Sequence, residues 1–178
     1  MDFYRLISEE DQMFGTAIRL YRSSFPAHEQ REEDSQKAAL RQEEYHFDLI
    51  YDAGLFVGLM LYWETADFIY VEHFCIDEGL RGRRYGQRAL GLLGERGKTV
   101  ILEIDPPKDS QSVRRLAFYQ RSGFRVNDFA HVHPPYHKGN QGHRLVVMSY
   151  PSALPRAEYE RFREYLEAVV MGVSIGGR

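Results

Sequence analysis

Between residues 69 and 97 the sequence reads IYVEHFCIDEGLRGRRYGQRALGLLGERG. Arg81, Arg83, Arg84 and Arg88 fall close together, interleaved with Gly82 and Gly86, just ahead of the helix-like run that begins at Ala89. The first turn of a helix carries unpaired N–H groups and the positive end of the macrodipole, so it binds anions. Glycine lets the backbone come close to such an anion, and arginine adds charge-assisted, often bidentate contacts. A strand running into this turn therefore reads as a phosphate-binding device, with a solvated basic helix start as the plainer alternative. Neither GxxxxGK[ST] nor GxGxxG after a first strand is present, which argues against a nucleoside triphosphatase and a dinucleotide-binding fold.

Other residues could carry proton chemistry. Glu103 is the one charge in VILEI, and a carboxylate there disrupts an apolar strand unless it is paired or functional. A raised pKa would suit it to general-base work; an ion pair with an arginine such as Arg115 is the equal alternative. Glu72 is its rival, expected by strand parity to project with Phe74 and Ile76, while His73 projects to the other side. A strand histidine is more often a satisfied structural residue than a base. Cys75, the single cysteine, has no recognisable partner triad and reads as a small buried residue. His131, His133, His137 and His143 share one loop, but no cysteine or carboxylate completes a zinc-type pattern, so no metal is expected. That loop, with Tyr136 and the stretch Ser24–Arg31, is expected to line the acceptor side of a site.

The elements that must position these residues follow from pattern. Phe3–Ile7 reads as a strand, Ser8 and Asp11 as a helix start, and Met13, Ala17, Leu20 and Tyr21 keep a helical period. Pro26 and the charge run after it suggest a loop and an exposed second helix through Leu40. Two β-rich runs around Asp52-Ala53-Gly54 form a hairpin. Then come a strand ending at Ile76, a helix over 84–96, and a nearly continuous apolar strand over 98–105. Pro106-Pro107 stop it, and a helix with a polar cap runs to Gly123. Strands near 124–129 and 143–150 bracket a long loop, and a last helix at about 155–171 presents Tyr159, Phe162, Leu166 and Val169 on one face. The order implies an α/β (α+β) chain: a mixed sheet with helices on both faces, in one domain over 1–178.

Composition sets limits. The chain has 178 residues, 43% hydrophobic and 28% charged, with net charge -3, so the arginine cluster is local on a mildly acidic molecule. A broad nucleic-acid-binding face is disfavoured. One cysteine allows no internal disulfide, the N-terminal sequence has no basic-then-apolar signal pattern, and no apolar run approaches the ~20 residues of a membrane helix. A cytoplasmic protein is expected.

Two separated motifs resemble the GNAT family of N-acetyltransferases. FCIDEGLRGRRYGQRAL is similar to that family's strand followed by [QR]-x-x-G-x-[GA], and RRLAFYQRSGFRV to its helix with a tyrosine and a Gly-Phe lead into the next strand. The resemblance covers most of 49–150 and implies a mostly antiparallel sheet of about seven strands, splayed between the fourth and fifth. It implies acetyl-CoA as co-substrate, its pantetheine arm against the backbone of Phe74, Cys75 and Ile76, its diphosphate on Arg81, Gly82, Arg83, Arg84, Tyr85, Gly86 and Gln87. Tyr119 then matches the proton donor to the leaving thiolate, Glu103 or Glu72 the base, and the Ile76 amide the polariser of the thioester carbonyl. Arg84 stands where glycine is usual, and is expected to keep a negative φ with its Cβ turned from the anion. The activity implied is direct transfer of an acetyl group to a primary amine in a ternary complex; a non-catalytic CoA-binding module is the alternative. The acceptor expected is a small molecule or peptide amine, with no nucleic acid or membrane partner. Glu29, Glu32, Glu33 and Asp34 would favour a cationic amine, though such runs are usually solvated helix faces. The last helix could pack on its own sheet or on a second copy in a homodimer.

Overall fold

A computed structural model describes residues 1–175. Strands β1 (Asp2–Leu6), β2 (Tyr45–Asp52), β3 (Leu55–Glu64), β4 (Phe68–Ile76), β5 (Thr99–Ile104), β6 (Arg125–Val126), β7 (His131–His133) and β8 (His143–Tyr150) form an eight-stranded sheet in the order β1-β2-β3-β4-β5-β8-β6, with β7 on β8. Every pairing is antiparallel except β4 with β5. The eighth strand is β7, in the stretch read from sequence as loop: three residues give no period, and only their register on β8 identifies them.

The helices divide between the faces. Helices α1 (Phe14–Ser24), α2 (Glu33–Ala39) and α5 (Arg156–Tyr165) cover one, burying Tyr21, Ala39 and Phe162 with Trp63 and Tyr70. Helices α3 (Tyr85–Gly94) and α4 (Ser110–Arg121) cover the other, around Leu90, Leu93 and Tyr119. Helix α1 starts well after Ser8, because Asp11 closes a turn onto the Met13 amide (2.7 Å) first. Helix α2 is not simply exposed: Ser35, Gln36 and Ala39 are buried on its inner side. A single π turn, Leu166–Val170, follows α5 and rotates the face, so Val170 rather than Val169 is fully buried. The terminal helical segment thus packs on its own sheet, and α6 (Gly172–Ile175) ends the described chain.

Two features of β4 create the site. It pairs with β5 only from Phe68↔Thr99 to Val71↔Leu102, and beyond that rung the strands part. The β3–β4 register also slips between Leu61 and Tyr62, so that Leu61 faces His73 and Tyr62 faces Val71. Glu72 is the extra residue of this bulge, which reverses the parity expected beyond it. Glu72, His73 and Cys75 lie on the α1/α5 side, and Phe74 and Ile76 on the α3/α4 side. No strand-period argument could have located that slip.

Candidate functional site

The parted strands open a cleft of about 1640 Å³, bounded by the Arg81–Gln87 loop, α4 and the 133–143 loop. Glu72 and Glu103 are the first residues past the last shared rung, so they flank the vertex where β4 and β5 diverge.

At the wide end, the main chain is poised for an anion. Arg81 N–H donates to Glu78 O (3.3 Å) and Arg88 N–H to Arg84 O (3.1 Å). Between them, from Gly82 to Gln87, no main-chain N–H donates to an acceptor among the described residues. Gly82 has φ +81 and Arg84 φ +63, so the loop ahead of the α3 N-terminus alternates left-handed residues, the kind of backbone from which anion-binding nests are built. The negative φ expected at Arg84 is therefore not found: the loop keeps the backbone that suits glycine and forces arginine into it. That conformation costs a side-chain-bearing residue about 1 kcal/mol. Gly86 is needed for packing, since a Cβ there would lie 3.1 Å from the Phe118 ring. The arginines divide: Arg81, Arg83 and Arg84 are exposed around the loop, whereas Arg88 grips Asp52 through two hydrogen bonds of 3.0 and 2.6 Å.

Along β4, Asp77 N–H donates to Val57 O (2.9 Å), and Gly58↔Ile76 and Leu59↔Cys75 are the next pairs. Antiparallel alternation then turns the N–H groups of Phe74 and Ile76 away from β3 and into the gap, and that of Cys75 toward Leu59. Of the three residues expected to offer backbone, two face the cleft. The Ile76 carbonyl accepts from Arg81 Nε (3.3 Å), which anchors the loop to the strand end.

The cleft's side chains come from both faces. Tyr119 projects from α4, whose start is fixed by a capping box between Asp109 and Ser112. Burial raises its pKa to about 12, so the phenol holds its proton through the neutral range. Burial likewise lifts Cys75 to about 11, leaving an unreactive thiol. Glu103 is buried and accepts from Tyr70 Oη (2.5 Å) and from His131 Nε2; His133 Nε2 lies 3.8 Å away. Burial pushes its pKa up, but His133, His131 and Tyr70 outweigh that, and it falls below the ordinary value rather than rising. Arg115 pairs with Asp105 (2.7 Å) and not with Glu103.

Glu72 is buried too. It receives Arg31 Nε (2.8 Å), Trp63 Nε1 (2.8 Å) and Tyr136 Oη (2.9 Å), and Arg31 with Trp63 offsets the burial and holds its pKa down. Arg31, read from sequence as the end of the stretch that lines the acceptor side, is fully buried and reaches Val170 O (3.0 Å). The histidines of the 131–143 loop were expected at the acceptor side. His133, Tyr136 and His143 do line the cleft, opposite Ser24 and His28; His131 and His133 also brace Glu103 from β7, and His137 reaches Ala27 O (2.9 Å). Sequence reasoning missed His131 and Arg31 as partners of the carboxylates; unlike charges far apart in the chain give no local signal.

The pattern of residues 11–124 matches the Acetyltransferase (GNAT) family. The chain belongs to the GNAT family. Its fold superposes on that of a Bacteroides thetaiotaomicron protein assigned to the GNAT acetyltransferases, with TM-score 0.90 and 31% identity over 97% of this chain and 99% of that one. Bacillus subtilis YjbC, also assigned to the acetyltransferases, is 28% identical over 105 residues, 57% of this chain; this GNAT chain thus spans about half (52%) of that relative. An aminoglycoside 6'-N-acetyltransferase solved with coenzyme A shares the GNAT fold (TM-score 0.57, 14% identity, 87% of this chain and 99% of that one).

Proposed function

We propose that the chain is an acetyl-CoA-dependent N-acetyltransferase that carries an acetyl group to a primary amine by direct attack in a ternary complex. The observation that carries this reading is the coincidence of unsatisfied amides at Gly82–Gln87 with a sheet parted beside them. Those amides and Arg81, Arg83 and Arg84 hold the diphosphate. Phe74 and Ile76 offer backbone to the pantetheine arm, and the Ile76 amide polarises the thioester carbonyl. No metal takes part.

Acetyl-CoA supplies an activated thioester. The amine nitrogen bonds to its carbonyl carbon as the carbon–sulfur bond breaks. The acceptor enters as an ammonium and loses one proton toward Glu103; Tyr119 then gives its phenolic proton to the departing sulfur and is restored by the proton that the nitrogen sheds as the amide forms. Glu72, paired with Arg31 and accepting from Trp63 and Tyr136, serves as the strut that fixes Arg31 and Tyr136 around the acceptor side. Acetyl-CoA binding followed by free-thiol release over a panel of amines tests the reading. Heat on binding and thiol release with an amine are expected; binding without release from any amine would leave only a CoA-binding module.

A further inference from the structure

The stretch 131–143 carries four histidines, and its own sequence holds no carboxylate to complete a ligand set. Folding brings one from elsewhere. His143 opens β8, and the turn after α1, Ala27–Glu29, stands against it with His28 and Glu29. One ligand atom from each of His28, Glu29 and His143 lies within 4.8 Å of the other two. The two imidazole rings have centroids 6.2 Å apart and planes inclined by 31°, and His28 Nε2 is 3.6 Å from Glu29 Oε1. Asp105 Oδ1 lies 3.4 Å from His143 Nε2, an outer carboxylate of the kind that orients a ligating imidazole.

Two imidazoles and a carboxylate suit a divalent ion of the zinc class, whereas magnesium and calcium select oxygen. Bonds of about 2.1 Å to a tetrahedral ion set ligand atoms about 3.4 Å apart. The His28 and His143 side chains are 59% and 40% exposed, so they are free to rotate and close the remaining distance. The place of the trio matters as much as its chemistry. Glu29 O meets His73 Nε2 (2.8 Å), which seats the turn on β4. His143 opens the strand that pairs with β5, and Asp105 follows β5 directly. The ligands therefore come from opposite sides of the gap where β4 and β5 part, and His137, donating to Ala27 O, already links those two rims.

We propose that His28, Glu29 and His143 form a site for a zinc-class divalent ion that staples the two rims of the cleft together. Three protein ligands leave the fourth tetrahedral position to water. The ion has no part in the transfer. It stands on the acceptor side, so by fixing the rims it shuts the amine out and leaves the Arg81–Gln87 end open to coenzyme A. This closure rests on the transferase reading; the metal site itself does not.

Calorimetric titration of zinc into the chelator-treated chain reads the site without turnover. One equivalent is expected to bind, and cobalt(II) in its place should give the visible absorption of a tetrahedral ion. His28→Ala, Glu29→Gln and His143→Ala should each weaken zinc by about tenfold or more, whereas His46→Ala, on β2 and outside the cleft, should leave it unchanged. No zinc heat, undiminished binding by the three variants, or equal loss in His46→Ala overturns the site. Hydrogen exchange reads the closure: zinc should slow exchange over both 24–30 and 133–143 in the wild type and not in the His28→Ala/His143→Ala double variant. Exchange that zinc leaves unchanged overturns the staple. In turnover, one equivalent of zinc should slow formation of the acetylated amine about tenfold, with recovery on adding EDTA; unimpeded turnover by the zinc-loaded chain overturns the exclusion of the amine. Zinc bound and exchange slowed, with no amine acetylated in the absence of metal, supports the staple and overturns the transferase reading instead.

Discussion

Arg84 shows at the scale of one residue how the site was and was not legible. The motif positions 81–86 were readable because glycine and arginine types advertise an anion, and the free amides of Gly82–Gln87 follow that reading. Its φ of +63 was not, because a backbone angle is set by the loop as a whole and not by the side chain. Arg84→Gly should therefore stabilise the fold by about 1 kcal/mol through relief of the left-handed strain, read as a rise in Tm; an unchanged or lower Tm contradicts the strain. Tyr119 is the second residue on which the chemistry turns. With a pKa near 12 it remains protonated, and Tyr119→Phe should cut kcat about 100-fold with little change in acetyl-CoA affinity. Equal turnover by the phenylalanine variant would remove the proton donor from the mechanism.

At the scale of elements, the decisive event is the bulge at Glu72, which turns that carboxylate onto the same side of the sheet as His73. Strand period assigned β4 correctly and kept Phe74 and Ile76 opposite His73, but put Glu72 on the wrong face, since an inserted residue leaves no mark on composition. The hairpin was plainer: Ala53 (φ +49) and Gly54 (φ +81) make a two-residue turn whose sequence states its geometry. The bulge also recruits Arg31, which ties the segment before α2 to β4, to Tyr136 and to the π turn after α5. Arg31→Met strands the buried Glu72 charge and should cost about 3–5 kcal/mol, whereas Arg31→Met with Glu72→Met should recover most of that loss. Urea denaturation of the three variants checks this, and additive losses would show that the two groups do not act as a pair.

At the scale of the molecule, two cores on opposite faces hold apart a sheet whose centre is split, and the split collects buried charge. Glu72 and Glu103 both have folded-state pKa values below 4.5, so their stabilising effect is complete above that value and is lost as pH falls through the depressed values. Tm should be flat near neutrality and drop in acid, more steeply for wild type than for Glu103→Gln; parallel acid limbs would contradict this. The overall architecture was legible because alternating strands and capped helices set the order of elements. The vertex was not, since its members, Arg31, Glu72, Glu103, His131 and His133, come from four distant stretches that only folding joins. The central claim, that the amides of Gly82–Gln87 hold a diphosphate, is tested most directly by calorimetric comparison of coenzyme A with pantetheine, which lacks that group. Pantetheine should bind at least about 100-fold more weakly, with the gap narrowing as salt rises; equal affinities would show that these amides hold no diphosphate.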